Sequence, residues 1–159
     1  MKSYLKGAPC ATPMETSGGE ILAGPYLDKP TTHLGVNLAA NNKRPANLTV
    51  DWPDFGVPTD LEAVKEAVRF VLRSLIYGHK VYVGCGFGWG RTGTLLALVA
   101  RVTEGLNGPK AIDFVRQNYR VEAVETNEQE RFVATFPVFW LRIYYGAERL
   151  WAKFFSARG

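Results

Sequence analysis

Apolar positions recur along this chain in two rhythms. Between Glu20 and Trp52 they come in short runs separated by turn residues, and "EILAG", "HLGVNLA" and "NLTVDW" read as three strands. From Leu61 to Ile76 the apolar residues fall at 61, 64, 68, 71, 72, 75 and 76, the spacing of one helix face. Thr59 and Glu62 stand as a capping box at its start, and Gly78 suits the turn after its end. "KVYVG" is a continuous apolar run, as expected of a strand buried on both faces. Thr92 to Glu104 reads as an apolar helix stopped by Gly105, and Pro109 opens another through Tyr119. Thr126 begins a last helical region, with kinks expected at Pro137 and near Gly146. Strands alternating with helices predict an α/β domain with a mainly parallel sheet. Residues 1–19, rich in Gly, Ser, Thr and Pro, read as a flexible arm, which leaves residues 20–159 as one domain.

Composition narrows the setting. Nearly half of the 159 residues are hydrophobic, enough for a single core. The first residues are broken up by Lys2, Lys6, Gly7 and Pro9 and do not resemble a signal peptide. No apolar run is long enough for a membrane span. Two cysteines make no disulfide framework, so a reducing, cytoplasmic compartment is expected. Cys10, Cys85, His33 and His79 lack ligand spacing, so no metal and no cofactor is expected. The net charge of +4 is spread evenly, which argues against nucleic acid as a partner. A mild positive field still favours the approach of an anionic substrate.

The chemistry concentrates in "VGCGFGWGRTGT", residues 83 to 94. Gly84, Gly86, Gly88 and Gly90 surround Cys85, and Arg91 follows it by six residues. The stretch joins a buried strand to an apolar helix, so residues 86 to 91 lie where backbone N–H groups lack helical partners. Glycines let those amides converge into a nest for a phosphate-sized anion. Its lining would be Gly86, Phe87, Gly88, Trp89, Gly90 and Arg91, with Arg91 adding paired hydrogen bonds to phosphate oxygens. The same field favours Cys85 as a thiolate nucleophile, and the Thr92 hydroxyl could donate to its sulfur. The bland alternative is a glycine-rich turn around an inert cysteine. A nucleotide-binding P-loop would require a Gly-Lys-Ser/Thr ending that is missing here. A rhodanese-like sulfur transferase also places a cysteine in an anion loop, usually a shorter one.

Two further stretches supply what a thiolate attacking a phosphate ester needs. In "WPDFGVP", residues 52 to 58, Asp54 could protonate the leaving oxygen and later take a proton from the hydrolytic water, although Pro-Asp-Phe-Gly is also sound turn chemistry. In "VETNEQERF", residues 124 to 132, Thr126 and Gln129 are spaced as a capping box, and the Gln129 amide could also orient that water.

At these three motifs the chain resembles the cysteine-dependent protein tyrosine phosphatase superfamily. The signature loop matches Cys85 to Thr92, the acid loop Trp52 to Pro58 and the glutamine loop Glu125 to Gln129. In length it is similar to the compact dual-specificity or small microbial type. The resemblance implies a central four- to five-stranded, mainly parallel sheet flanked by helices. It also implies hydrolysis of phosphotyrosine, and of phosphoserine or phosphothreonine as weaker substrates, through a cysteinyl-phosphate. The catalytic residues would be Cys85, Arg91, Asp54, Thr92 and Gln129. Where the family usually has His before the nucleophile this chain has Gly84, and Glu125 stands where the tyrosine-specific branch has Gln. Phe87 and Trp89 inside the loop suit an aryl leaving group better than a highly charged inositol phosphate. A phosphoinositide or other non-protein phosphatase is the alternative enzyme, and a catalytically weak phosphate-recognition module the alternative from another class.

"FPVFWLRIYYGAERLWAKFF" ends the chain densely aromatic and broken by Arg142, Glu148, Arg149 and Lys153. Packing on the domain is the simplest expectation. A dimer contact and a peripheral membrane contact are the others.

Overall fold

The computed structural model describes Cys10 to Arg158. Its strands are β1 (Thr12–Thr16), β2 (Gly19–Pro25), β3 (Leu34–Asn37), β4 (Leu48–Thr49) and β5 (Val81–Cys85). Its helices are α1 (Leu61–Ile76), α2 (Gly90–Thr103), α3 (Gly108–Asn118), α4 (Asn127–Thr135) and α5 (Phe139–Ser156). The five strands form one sheet in the order β1-β2-β5-β3-β4. β5 runs parallel to both β2 and β3, β4 is parallel to β3, and only the edge strand β1 is antiparallel. This is the mainly parallel α/β sheet expected from the alternation, with a strand number within the four to five that the resemblance implied.

All five residues of β5 are buried, which explains its uninterrupted apolar run. It lies between two strands that precede it in sequence, so the connectivity reverses at its flanks. Ligand sites in such sheets form at the carboxyl ends of the strands around that reversal, and Cys85 ends β5 there. α2 leaves from the same point and is buried along almost its whole length, packed against β5 and the other four helices.

The periodicity of residues 61–76 is realised in α1, whose Val64, Ala67, Val68, Val71, Leu72 and Leu75 are buried. Its cap differs from the expectation: Asp60, not Thr59, is the N-cap, and its carboxylate accepts the Ala63 N–H at 3.0 Å. Such a cap contributes about 1 kcal/mol. Gly78 follows the helix at φ +71°, the left-handed conformation glycine adopts without cost.

Two other expectations are corrected. The arm expected over residues 1–19 is, from Thr12 onward, an antiparallel hairpin in which Met14 is fully buried; residues 1–9 lie outside the described part. Ser17 ties its turn down, with its hydroxyl donating to the Thr103 carbonyl and its N–H to Glu104. Pro137 does not kink a helix but separates two, because α4 ends at Thr135 and α5 starts at Phe139. Carbonyls freed at that break are answered by Arg101, which donates to Val133 O at 2.9 Å and Phe136 O at 2.7 Å. α5 runs through Gly146 without interruption.

Candidate active site

Cys85 is almost fully buried, and its sulfur accepts the Gly88 N–H at 3.2 Å. The turn that achieves this needs glycine at 88, with φ +79° and the Gly24–Pro25 backbone where a Cβ would stand. Two buried tyrosines brace this region, one from the end of α3 and one from β5. Tyr119 donates its hydroxyl to the Gly88 carbonyl at 2.6 Å, and Tyr82 donates to the Pro25 carbonyl at 2.6 Å. Pro25 is the β2 residue in register with Cys85. Burial pushes both hydroxyls far above the ordinary tyrosine range, so they remain donors at any working pH. Gly88 thus holds the sulfur through its N–H and is itself held through its C=O.

The same packing accounts for Gly84. A Cβ there would come 2.8 Å from both Gly24 O and Tyr26 Cα, backbone atoms that cannot step aside. No side chain of any kind fits at this position in this sheet. Tyr119, which caps the end of α3, is the side chain that holds the loop from behind.

Arg91, the second residue of α2, is 7% exposed. One terminal nitrogen donates to Trp52 O at 3.2 Å and lies 3.5 Å from Leu38 O; the other lies 3.3 Å from Asp54 Oδ1. Its Nε is buried without a partner among the described residues. The guanidinium therefore joins the cysteine loop to the acid loop. Gly86 borders it closely, since a Cβ there would come 3.2 Å from Arg91 Nη2. Gly90 opens α2, with Trp89 as its N-cap. Phe87 is 60% exposed and lies 6.0 Å from the half-buried Trp89 ring, giving the loop an apolar rim. The bond expected from Thr92 to the cysteine sulfur is not formed: the Thr92 hydroxyl is buried without a partner among the described residues.

The acid loop is attached at few points. Trp52 is buried edge-on against Phe132, with ring centroids 5.7 Å apart, and its indole N–H donates to Gly56 O at 2.8 Å. Phe55 is exposed at φ +59°, and the Asp54 side chain is 53% exposed. From α4, the fully buried Gln129 donates to Gly56 O at 3.3 Å, and Thr126 donates its hydroxyl to Phe55 O at 3.1 Å. The Thr126 hydroxyl also accepts the Gln129 N–H, so one half of the expected capping box is present, while the Gln129 side chain turns to the Glu125 N–H and not to that of Thr126. Gln129 Oε1 accepts the Glu125 N–H at 2.9 Å. Its amide is thus engaged in holding two loops together.

Glu125 places its carboxyl over Gly90. Burial pushes that carboxyl above the ordinary range and the Asp54 charge adds to this, while the Gly90 N–H and Arg91 pull it back. Val124 beside it sits at φ +62°, a conformation costing a β-branched residue roughly 1–3 kcal/mol. Arg116 holds this segment by donating to Ala123 O at 3.0 Å and Val124 O at 2.8 Å. Sequence reasoning missed Tyr119, Tyr82 and Arg116, because each acts on a carbonyl that no motif marks.

The acid and glutamine loops thus meet the cysteine loop at Arg91 and Gly90. The sequence model of the family described as protein-tyrosine phosphatase matches residues 39–137. Two uncharacterized proteins of Methanocaldococcus jannaschii are similar. One is 43% identical over 121 residues, covering 76% of this chain and 70% of the relative. The other is 45% identical over 87 residues, covering 54% of this chain and only 56% of that relative. Among solved structures, Tk-PTP in its active form aligns with TM-score 0.61 and 24% identity, over 74% of this chain and 91% of that one. A human tyrosine phosphatase-like serine/threonine/tyrosine-interacting protein aligns at TM-score 0.66 and 17% identity, over 82% and 97%. A mouse putative dual specificity phosphatase aligns at 0.65 and 17%, over 85% and 93%. At these identities the structural likenesses speak for the fold, and the family match speaks for the rest: this chain belongs to the protein-tyrosine phosphatase family.

Proposed function

We propose that the protein hydrolyses phosphate monoesters through a phosphocysteine, with phosphotyrosine in proteins as its preferred substrate. The observation that carries this reading is the Arg91 guanidinium, which lies 3.3 Å from Asp54 and belongs to the loop that encloses the Cys85 sulfur. Nucleophile, anion holder and proton donor are then within reach of one phosphoryl group.

In the first step the Cys85 thiolate forms a bond to phosphorus as the ester oxygen leaves and takes a proton from Asp54. In the second, water attacks the thiophosphate, Asp54 takes its proton, and the thiolate is released with inorganic phosphate. Arg91 and the amides of Gly86 to Gly90 bind the three equatorial oxygens, where fixed donors act most strongly because charge is spread there in the transition state. The step needs neither metal nor cofactor.

The rim favours an aryl ester. Phe87 stands exposed on the cysteine loop and Phe55 on the acid loop, and flat apolar surfaces suit a phenyl ring better than an alkyl chain or a polyphosphate. Phosphotyrosine peptides should give the highest kcat/KM, phosphothreonine peptides a lower one and phosphoinositides the lowest. Cys85→Ser should abolish turnover of an aryl phosphate while vanadate binding remains. Full turnover in that variant would overturn the chemistry, and a phosphoinositide as best substrate would overturn the assignment to proteins.

One observation favours a slower variant of the same reading. The Gln129 amide is engaged with Gly56 and Glu125, which limits its freedom to aim a water. A burst of phenol followed by slow turnover would show that hydrolysis of the thiophosphate limits the rate, making the protein in effect a phosphate-recognition module.

A further inference from the structure

Helix α5 has two apolar faces, and the fold uses one. Leu141 and Tyr145 are buried against the domain. On the other side Phe139, Trp140, Ile143, Leu150, Trp151 and Phe154 are each between 46% and 75% exposed. Successive residues advance 100° around a helix, so Trp140, Ile143, Ala147, Leu150, Trp151 and Phe154 share one stripe along the axis. Between Phe139 and Phe155 that stripe extends about 24 Å. Beside its C-terminal half, Ile76, Tyr77, Trp151 and Phe155 line an open groove of about 630 Å³. Exposed large apolar residues scattered singly are ordinary, but seven of the thirteen among the described residues lie on this one helix.

We propose that this face docks the protein on an anionic lipid surface, with α5 lying flat in the headgroup layer. Charge selects this occupant. Arg149, Lys153 and Arg158 are exposed, and the only acid from Phe139 onward, Glu148, is engaged by the Tyr77 hydroxyl at 3.0 Å and lies near Arg73. Tryptophan rings with arginine and lysine beside them are the side chains that settle at a membrane interface. Arg158 already stacks on Phe154, 4.3 Å from the ring centroid, as a cation on an apolar face does beside headgroups. A second copy is the poorer occupant. Antiparallel pairing through the stripe sets each helix's Arg149–Lys153 flank against the same flank of its mate, with no free acid to answer it. Among the described residues no helix is long and apolar enough to cross a membrane, so α5 lies on the surface and does not span it.

The orientation follows from where α5 is tied. Arg142 donates to Arg101 O and Leu106 O, at the end of α2 remote from Cys85. The 14 residues of α2 put about 20 Å between that end and the cysteine loop. Docking through α5 therefore leaves the cysteine loop about that far from the point where α5 is tied.

The test is co-sedimentation of the full chain with phosphatidylcholine vesicles, with and without phosphatidylglycerol, at low and high salt. Binding to the anionic vesicles should exceed binding to the neutral ones by roughly tenfold or more and fall with salt. Arg149→Glu with Lys153→Glu should remove the anionic preference, and Leu150→Glu with Phe154→Glu should abolish sedimentation. Hydrolysis of a soluble aryl phosphate should be unchanged in both variants and on the vesicles, which also reports that they fold. Equal binding to both vesicle types overturns the proposal. So does no binding at all, and a dimer in sedimentation equilibrium that Phe154→Glu dissociates would assign the face to a second copy instead.

Discussion

The cysteine loop and the acid loop face one another across Arg91, and they are built on opposite plans. The cysteine loop is fixed on its sheet side and at Gly88: the backbone around Gly24 and Tyr26 fills the space beside Gly84 and Gly88, and Tyr119 holds the Gly88 carbonyl. The acid loop carries the Asp54 side chain half in solvent and is latched from outside by Gln129 at Gly56 O, Thr126 at Phe55 O and Arg91 at Trp52 O and Asp54. In the proposed mechanism one loop presents amides to developing charge without reorganising, so rigidity serves it. The other admits a substrate and then brings a proton to it, so attachment by a few breakable bonds serves it.

The comparison can be broken at its strongest point first. Arg91→Ala removes an anion holder and the link between the loops at once, and kcat/KM for an aryl phosphate should fall by roughly 10³-fold. Asp54→Asn should lower kcat by about 10²-fold with little change in KM, because the group acts on the leaving oxygen and not on binding. Equal loss from both variants in KM alone would deny them separate roles.

The brace comes next. Tyr119→Phe deletes one buried hydrogen bond, an effect of about 1 kcal/mol or somewhat more, and should cost roughly tenfold in kcat. Thr126→Val releases one latch of the acid loop and should cost only a few-fold. If the order of these two were reversed, the supposed difference in rigidity between the loops would be wrong.

The smallest effect is on stability. Glu125 holds its proton more tightly in the folded chain than in the unfolded one, first because of burial. Its contribution is therefore fully present below the ordinary carboxylate range and is lost as pH rises through the raised value. Glu125→Gln keeps an acceptor for the Gly90 N–H and sheds that loss. Its Tm should exceed the wild type's near neutral pH, with the gap closing below about pH 4.

These variants also mark how far the sequence could be read. Cys85, Arg91, Asp54 and Gln129 were legible because each lies in a local pattern with a chemical reason, and α1 and β5 because their apolar spacing is unambiguous. What was illegible acts across the sheet or between loops. The Tyr119 hydroxyl meets a carbonyl 31 residues away, and nothing in "RQNYR" singles it out among seven tyrosines. Gly84 looked like a lost histidine, whereas the structure shows a site where the backbone of β2 leaves no room for a side chain. The β1 hairpin was hidden by composition, since an edge strand that buries only Met14 can be written almost entirely in polar and turn-forming residues. Thr92 is the converse case: its place in the motif suggested a bond to sulfur that the geometry does not make.

The central claim is that the rigid loop exists to carry a phosphoryl group on Cys85. Asp54→Asn keeps the nucleophile and Arg91 but lacks the acid of the first step and the base of the second. With an aryl phosphate whose phenol is acidic enough to leave unprotonated, only the second step is slowed and the intermediate should accumulate. Mixed with such a phosphate, quenched in acid within a turnover and digested, the variant should show one phosphoryl group on the peptide that contains Cys85. Phosphate on any other peptide, or none while aryl alcohol is still released in stoichiometric amount, would contradict the account.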